Sequence, residues 1–418
     1  MKNNKMIVPG ATLLMAFFLW ILTAMPVKAQ ALQEPVPYEL LPDSSNFVIA
    51  SILIADPGDD AFFVLGHCAL RLQCPTKDMD YCFSYNTSLE MGPEFNLHLL
   101  TGRAKAGYEP LSFNRYLEPF QDEQRGMREY VLNLTLDEKR MLWQQIDKQV
   151  AKGPTMPFDY IFNNCTNTLY RVISSTLQNE DFEYHDNSLL DMLPREYCEL
   201  LLGQRSPWIY FMAMSLMSGV PNDSPWPLTT MINPIYLDLL LPEATIRGND
   251  GSVRPALEEP VRTVLLSMRV TKPSAVTPFR LFLGLLVVVL LVTWVEKRFH
   301  VRWPAKAVDV LLATGYTLFS LMMLVVSVTK SFGASWNWLF ITFNPLPLLL
   351  WLCYRKKPWY GRVWGVYAVA IVVTMVLFSL ILRHMEWAHE FLLAALLTRC
   401  VAHYANHSVS NNHGRTTA

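Results

Sequence analysis

The chain has 418 residues, 51% of them hydrophobic and 17% charged, against roughly 25% charged residues in an ordinary soluble chain. That composition excludes a disordered protein and one built around nucleic-acid binding. The net charge of −1 hides an asymmetry: residues 279–418 hold 13 Lys/Arg against 4 Asp/Glu, and residues 1–278 hold 22 against 32, so an acidic front precedes a basic, apolar back.

At the N-terminus Lys2 and Lys5 precede an apolar run over 11–24 and the small-residue stretch Ala29-Gln30-Ala31. This is the pattern of a secretory signal peptide, 1–30, with an uncleaved anchor as the alternative. Either way the residues that follow leave the cytoplasm.

The segment 31–277 reads as mixed α and β. Strands are expected at 47–55, ending in Asp56-Pro57-Gly58-Asp59-Asp60, then around Gly66-His67-Cys68-Ala69-Leu70-Arg71-Leu72, and at 80–85, with a turn after Pro75 between the last two. A helix is predicted over 135–150, with Thr135 as cap, Glu138 completing a capping box, and Leu136, Trp143, Ile146 and Val150 on one apolar face. A second helix is expected to start near Asn163 or Asn164.

Of the seven cysteines, Cys68, Cys74, Cys82, Cys165 and Cys198 lie in this segment. An odd number leaves at least one thiol unpaired within the chain, and a cross-strand disulfide between Cys74 and Cys82 is expected to be feasible. With no CxxC pair and no HExxH, neither a metal site nor a cofactor is expected. Cys165 follows a good N-cap, and a thiol on the first turn of a helix feels the positive end of the macrodipole, which lowers its pKa. The histidines available as its base are His67, His98 and His185; His67 qualifies if its strand lies beside the cysteine helix. Cys68, next to His67, points to the opposite face of the strand and is expected to be buried. Arg71 and Arg125 are expected to make structural ion pairs.

Beyond residue 277 apolar runs at 281–295, 308–328, 336–354, 363–382 and 387–404 read as five transmembrane helices within 278–406, followed by a short cytoplasmic tail, 407–418. The first and last runs fall short of the ~20 residues of a full span. A buried soluble bundle is the alternative. The loop 297–306 carries Lys297, Arg298, Arg302 and Lys306, and the loop 355–362 carries Arg355, Lys356, Lys357 and Arg362, whereas the alternate loops carry one each, Lys330 and Arg383. By the positive-inside rule the two basic loops face the cytoplasm, and the segment before the first span lies outside. The apolar stretch 207–217 reads as a core helix, or as one that dips into the outer leaflet. Inside the membrane part Asn344 with two prolines breaks a helix, and Arg399 and Glu390 lie in or near the last span; such residues are expensive in hydrocarbon and often line a cavity, with a wet interface as the alternative for Glu390.

The ordered set Gly66-His67-Cys68-Ala69-Leu70-Arg71, Gly102-Arg103, Glu123-Gln124-Arg125, Leu132-Asn133-Leu134-Thr135 and Phe158-Asp159-Tyr160-Ile161-Phe162-Asn163-Asn164-Cys165-Thr166 resembles the Lnb-type periplasmic domain of Gram-negative bacteria, chiefly Bacteroides relatives. The five-span tail, with Asn337 and Asn344-Pro345-Leu346-Pro347, is similar to the C-terminal half of that family. The resemblance implies an α+β circularly permuted papain-like (NlpC-type) domain followed by an all-α five-helix membrane bundle in the inner membrane. It implies lipoprotein N-acylation: a phospholipid acyl donor, a thioester on Cys165 with His67 as base, and a lipoprotein acceptor, with no nucleic-acid partner and an undetermined oligomeric state. Asn164 is an auxiliary candidate for the oxyanion, and Ser84 and Tyr85 for orienting His67. The sequence departs from the family pattern at Cys68, Ser84 and Thr168, where the family has Ser, Asn and Arg. A cysteine peptidase or amidase, and a catalytically silent scaffold, are the alternatives.

Overall fold

The computed structural model of the chain describes residues 48–416, except 60–62, 87–96, 100, 185–190, most of 220–231, 270–273, 330–336, most of 348–358, and 383–385. The expected signal peptide at 1–30 and His185 lie outside the described residues. The chain runs β1 (Ile49–Ala55), β2 (His67–Cys74), β3 (Met79–Asn86), β4 (Lys105–Ser112), α1 (Phe113–Asp122), β5 (Met127–Val131), α2 (Leu136–Lys152), β6 (Met156–Pro157) and α3 (Cys165–Ser174). It continues through β7 (Glu180–Glu183), α4 (Pro194–Cys198), α5 (Pro207–Leu216), α6 (Pro234–Leu240), β8 (Thr245–Gly248), β9 (Val253–Pro255) and β10 (Arg262–Leu265).

Seven strands form one antiparallel sheet in the order β10-β5-β1-β2-β3-β4-β6, and β7-β8-β9 form a second. Both β1 and β2 are buried along their whole length because they lie at the centre of the larger sheet and both its faces are covered. Alternation sends successive side chains to opposite faces. Ile52, Ile54, Leu70 and Leu72 pack with Leu142 of α2 and Leu169 of α3. Leu53, Ala55 and Ala69 pack with Tyr116, Leu117 and Phe120 of α1 on the other side.

Local sequence explains the boundaries. Thr135 caps α2 in a full capping box with Glu138, an arrangement worth about 1 kcal/mol. Of the expected apolar face of α2, Ile146 is buried and Trp143 and Val150 pack partly buried against the same core, joined by Leu142, whereas Leu136 is 43% exposed. Two charged residues join that face because each finds an opposite charge: Lys139 pairs with Glu258 at 3.0 Å, and Glu138 with Arg254 at 2.7 Å.

The expected Cys74–Cys82 disulfide does not form; both thiols are free. The turn Pro75–Lys77 sets a register in which Cys74 faces Met79 and Cys82 faces Arg71, so the two sulfurs are not cross-strand neighbours. Arg71 and Arg125 are ion-paired as expected. Arg71 is bidentate to Asp80 at 2.8 and 2.7 Å and meets Glu129 at 3.1 Å. Arg125 meets Glu123 at 3.3 Å.

Gly66, just before His67, has φ +90°, and a Cβ there would sit 2.5 Å from the Ala55 carbonyl oxygen of the neighbouring strand. Gly66→Ala is therefore expected to cost roughly 2–3 kcal/mol through strain and clash. Thermal unfolding of the detergent-solubilised protein measures it, and an unshifted Tm would contradict the assignment.

Among the described residues of the C-terminal part, three helices are long and apolar enough to cross a membrane: α7 (Pro278–Phe299), α8 (Trp303–Thr329), and α9 (Gly361–Val376), whose apolar run extends to Leu380. The segment expected at 336–354 is described only in part and holds a 3-10 turn, Trp338–Ile341. The segment expected at 387–404 belongs to α10 (Trp387–Thr416), which also takes in most of the stretch read as a tail. Arg399 on α10 is buried, with Asp309 in bidentate contact at 2.6 and 2.9 Å and Glu296 at 2.8 Å. Three helices are thereby joined by one charge network, and the pairing is what makes a buried guanidinium tolerable. Glu390 accepts a hydrogen bond from Ser379.

Candidate thiol site at the membrane-linked domain

Cys165 is the first residue of α3. The preceding Asn164 is extended (φ −95°, ψ 178°), and its side-chain oxygen accepts from the backbone N–H of Thr166 and of Asn167, both at 2.9 Å. Asn167 returns the bond, its Oδ1 accepting from the Asn164 N–H at 2.8 Å, and its Nδ2 donates to the Ile161 carbonyl at 2.7 Å. Asp159 holds the approach by accepting from the N–H groups of Ile161 and Phe162 at 2.8 and 2.9 Å. The loop is thus pinned by short polar side chains on both sides of the cysteine. Asn164 spends its carboxamide on this cap and on the Tyr160 carbonyl, 3.0 Å away. The cap takes the second and third amides of the helix and not that of Cys165, so this N–H points out of the first turn, as orphan amides there do.

His67 is the first residue of β2 and 7% exposed. Its Nε2 lies 2.7 Å from the Ser84 hydroxyl on β3, and its ring stacks on Phe120 at 6.4 Å and meets Phe63 edge-on at 5.5 Å. Of the two residues read as orienting candidates, Ser84 makes this contact. Tyr85 faces the other side of the sheet, where its ring packs against Tyr108 at 5.4 Å. Burial pushes the Tyr85 phenol up to about 12, with Arg171 pulling it down and Cys165 pushing it up, so it stays protonated at neutral pH and is an electrostatic neighbour of the thiol. The carbonyl of His98 accepts from the N–H groups of Arg103 and Ala104.

Cys68 is 1% exposed and points away from the His67 face, as expected, but that direction carries it to α3. Its Sγ donates to the Thr166 Oγ1 at 3.3 Å, and the same oxygen lies 3.7 Å from the Cys165 Sγ. The Cys165 thiol is held well below its ordinary value of 9.0, first by the hydrogen bond from the Cys68 side chain. Burial opposes this, while the charge and hydrogen bond of His67 and the Cys68 backbone N–H add to it. Cys68 moves the other way, pushed well up by burial and by the Cys165 sulfur, so it stays protonated, with its one S–H directed at the Thr166 oxygen that bridges to Cys165. Sequence reasoning missed Thr166 and this use of Cys68. The alternation rule gave the direction of Cys68 but not what packs there.

This chain of bonds predicts a measurable effect. Thr166 is fully buried, and Thr166→Val keeps its shape while removing the bridge. A lost hydrogen bond to a charged group is worth about 1.5–3 kcal/mol, or about one to two pH units in the midpoint of Cys165 alkylation. The shift is upward, because the thiolate loses a donor. Rates of iodoacetamide labelling at Cys165 across pH, mapped by peptide mass, check it; Cys68→Ala should move the midpoint the same way.

The site is joined to the membrane part through α5. Tyr210 and Met214 pack with Val64, three residues before His67, and Met217 packs with Ile161, four residues before Cys165. On the other side Leu216 enters the core of the spanning helices. Phe211 stacks on His389 of α10 at 4.2 Å, and Ser215 Oγ lies 2.7 Å from His389 Nε2. Asn337 donates to the Ser215 and Leu216 carbonyls at 2.9 and 3.2 Å, closing the end of the helix. The stretch 207–217 is therefore a link packed between the two parts, and its one exposed large side chain is Trp208.

A low-lying thiol on a capped helix start, a buried histidine on the adjoining strand, and a rigid link to apolar spans define a membrane-anchored protein with a cysteine site outside the spans. Its family follows from comparison with family models: the Lnb N-terminal periplasmic domain matches residues 43–196 and the Lnb transmembrane domain matches residues 270–409. The chain belongs to the Lnb family, as a membrane protein whose N-terminal domain is periplasmic. No curated protein and no solved structure matches it.

Proposed function

We propose that the protein is a lipoprotein N-acyltransferase working through a Cys165 thioester. With Nε2 of His67 engaged by Ser84, Nδ1 is the nitrogen left to take the Cys165 proton. The thiolate attacks an ester carbonyl of a phospholipid. The Cys165 N–H donates to the oxyanion that forms, and the ester C–O bond breaks as His67 returns the proton to the leaving lysophospholipid. The neutral α-amine of a diacylglyceryl-cysteine then attacks the thioester. Its proton passes to His67, an amide forms, and the thiolate is released.

The observation that carries this reading is the lowered Cys165 thiol beside His67 on a domain built against membrane spans. A covalent acyl carrier needs that nucleophile, and a donor drawn from a bilayer needs that location. The order of His67 strand before Cys165 helix accords with a permuted papain-like core, and the membrane part is read as five spans in the inner membrane, with the C-terminus in the cytoplasm. Mass spectrometry of a lipoprotein N-terminus from cells with and without this protein tests the proposal. A third acyl chain present only with the protein supports it, and an identical acylation state in both overturns it.

A further inference from the structure

Arg171, on the second turn of α3, is the feature of the site that the mechanism above does not use. Its side chain runs back toward the start of the helix, where it donates to the Phe162 carbonyl at 3.0 Å and to Asn163 Oδ1 at 2.8 Å. Both partners are neutral, and among the described residues no carboxylate pairs with this guanidinium, although Arg71, Arg128, Arg254 and Arg399 are each paired. Beside it lies a cavity of about 190 Å³ whose walls include Tyr108, Gln145, Gln149, Thr168, Arg171 and Ser175. Met156 and Val172 complete the wall, so the lining combines one cation and no anion with carboxamides, hydroxyls and apolar side chains.

The cavity is near the thiol residue: Thr168 in its wall has its hydroxyl 3.3 Å from the Cys165 carbonyl. Arg171 and Cys165 both act on the buried Tyr85 phenol, whose oxygen has no hydrogen-bond partner among the described residues. Next to the guanidinium, Phe162 presents an apolar ring that is 38% exposed, three residues before the cysteine. A guanidinium with no carboxylate partner among the described residues, beside an exposed aromatic ring and a cavity lined by both polar and apolar side chains, suits a group with a phosphate at the edge of an apolar body.

We propose that Arg171 and this cavity bind the phosphate diester and polar headgroup of the phospholipid donor, placing its ester carbonyl at Cys165. The proposal rests on the acyl-transfer reading and adds the recognition element for the donor. Arg171 then sets donor preference: a diacylglycerol with the same ester bonds but no phosphate gains nothing from it.

The test uses the full chain in detergent micelles, with dioleoyl phosphatidylglycerol or dioleoylglycerol as donor, and reads the Cys165 thioester by intact mass. In Arg171→Gln, KM for the phospholipid is expected to rise about ten- to a hundredfold with the maximal acylation rate nearly unchanged. Acylation by the diacylglycerol should stay at its wild-type level, and Arg171→Lys should recover part of the loss. An equal loss with both donors would assign Arg171 to bracing the 162–163 loop and overturn the proposal, as would an unchanged KM. Sodium phosphate slowing iodoacetamide labelling of Cys165 as well as the phospholipid does would make the cavity a site for free phosphate, overturning the headgroup assignment. If the wild type forms no thioester from either donor, the acyl-transfer reading itself fails, an outcome distinct from indifference to Arg171.

Discussion

Cys165→Ser is expected to abolish the thioester and to lower acyl transfer by about a thousandfold or more, because the surroundings are tuned to a thiolate and a serine hydroxyl stays protonated there. Burial opposes charge at this position, and the donors from Cys68 and His67 overcome it only for a group whose ordinary value, 9.0, is already near neutral. An alkoxide lies several units further up, beyond what those hydrogen bonds supply. The replacement is nearly isosteric, and the cap on α3 is built from Asn164 and Asn167, so the protein should fold. An unchanged unfolding temperature together with lost thioester, by intact mass after incubation with phospholipid, is the expected pair of results. Full acyl transfer by the serine variant would remove Cys165 from the chemistry.

How much of this site could be read from sequence depended on the range of the interaction. The caps are local: Asn164 before Cys165, and Thr135 with Glu138, satisfy amides within one turn, and those short patterns located both helices. Strand membership of His67 was equally local, resting on a β-rich run after Gly66. What failed needed register or packing. The Cys74–Cys82 pairing depended on the exact length of the turn between two strands, and one tight turn shifted Cys82 opposite Arg71. Periodicity placed Ile146, Trp143 and Val150 of α2 toward the core but put Leu136 there too, and it cannot foresee that Lys139 and Glu138 join that face by finding Glu258 and Arg254 more than a hundred residues away.

The thiol relay shows the same limit. Cys68 and Thr166 are separated by 98 positions, and only the packing of α3 on β2 places one sulfur and one hydroxyl beside the nucleophile. The adjacency of His67 and Cys68 in the strand has a physical use here. Alternation lets one residue meet Ser84 and Phe120 on one face while its neighbour meets α3 on the other. The end of a single strand thus supplies the nucleophile with an imidazole, a thiol donor and a backbone N–H. Similar logic applies to α5, whose sequence is apolar on nearly every side. It is buried because two partners share it, the segments ahead of His67 and Cys165 on one flank and the spanning helices on the other.

His67→Gln is the second substitution with a large expected effect, and its pH dependence separates catalysis from packing. Glutamine can keep a hydrogen bond to Ser84 and fill most of the space against Phe120, yet it cannot accept and return a proton. Loss of a general base is expected to lower acyl transfer by about a hundred- to ten-thousandfold. The direction of the pH effect follows from the thiol. His67 is one of the groups holding Cys165 below 9.0, so without it the thiolate forms only at higher pH, and the midpoint of Cys165 alkylation moves upward. In the wild type alkylation should persist at pH values well under 9.0 and fall away only as the pH drops through the lowered value. Because Cys68 and Thr166 remain in the variant, its midpoint should stay below that of an ordinary cysteine. A variant that lost acyl transfer while keeping the wild-type alkylation profile would place His67 away from the sulfur and leave only a packing role against Phe63 and Phe120.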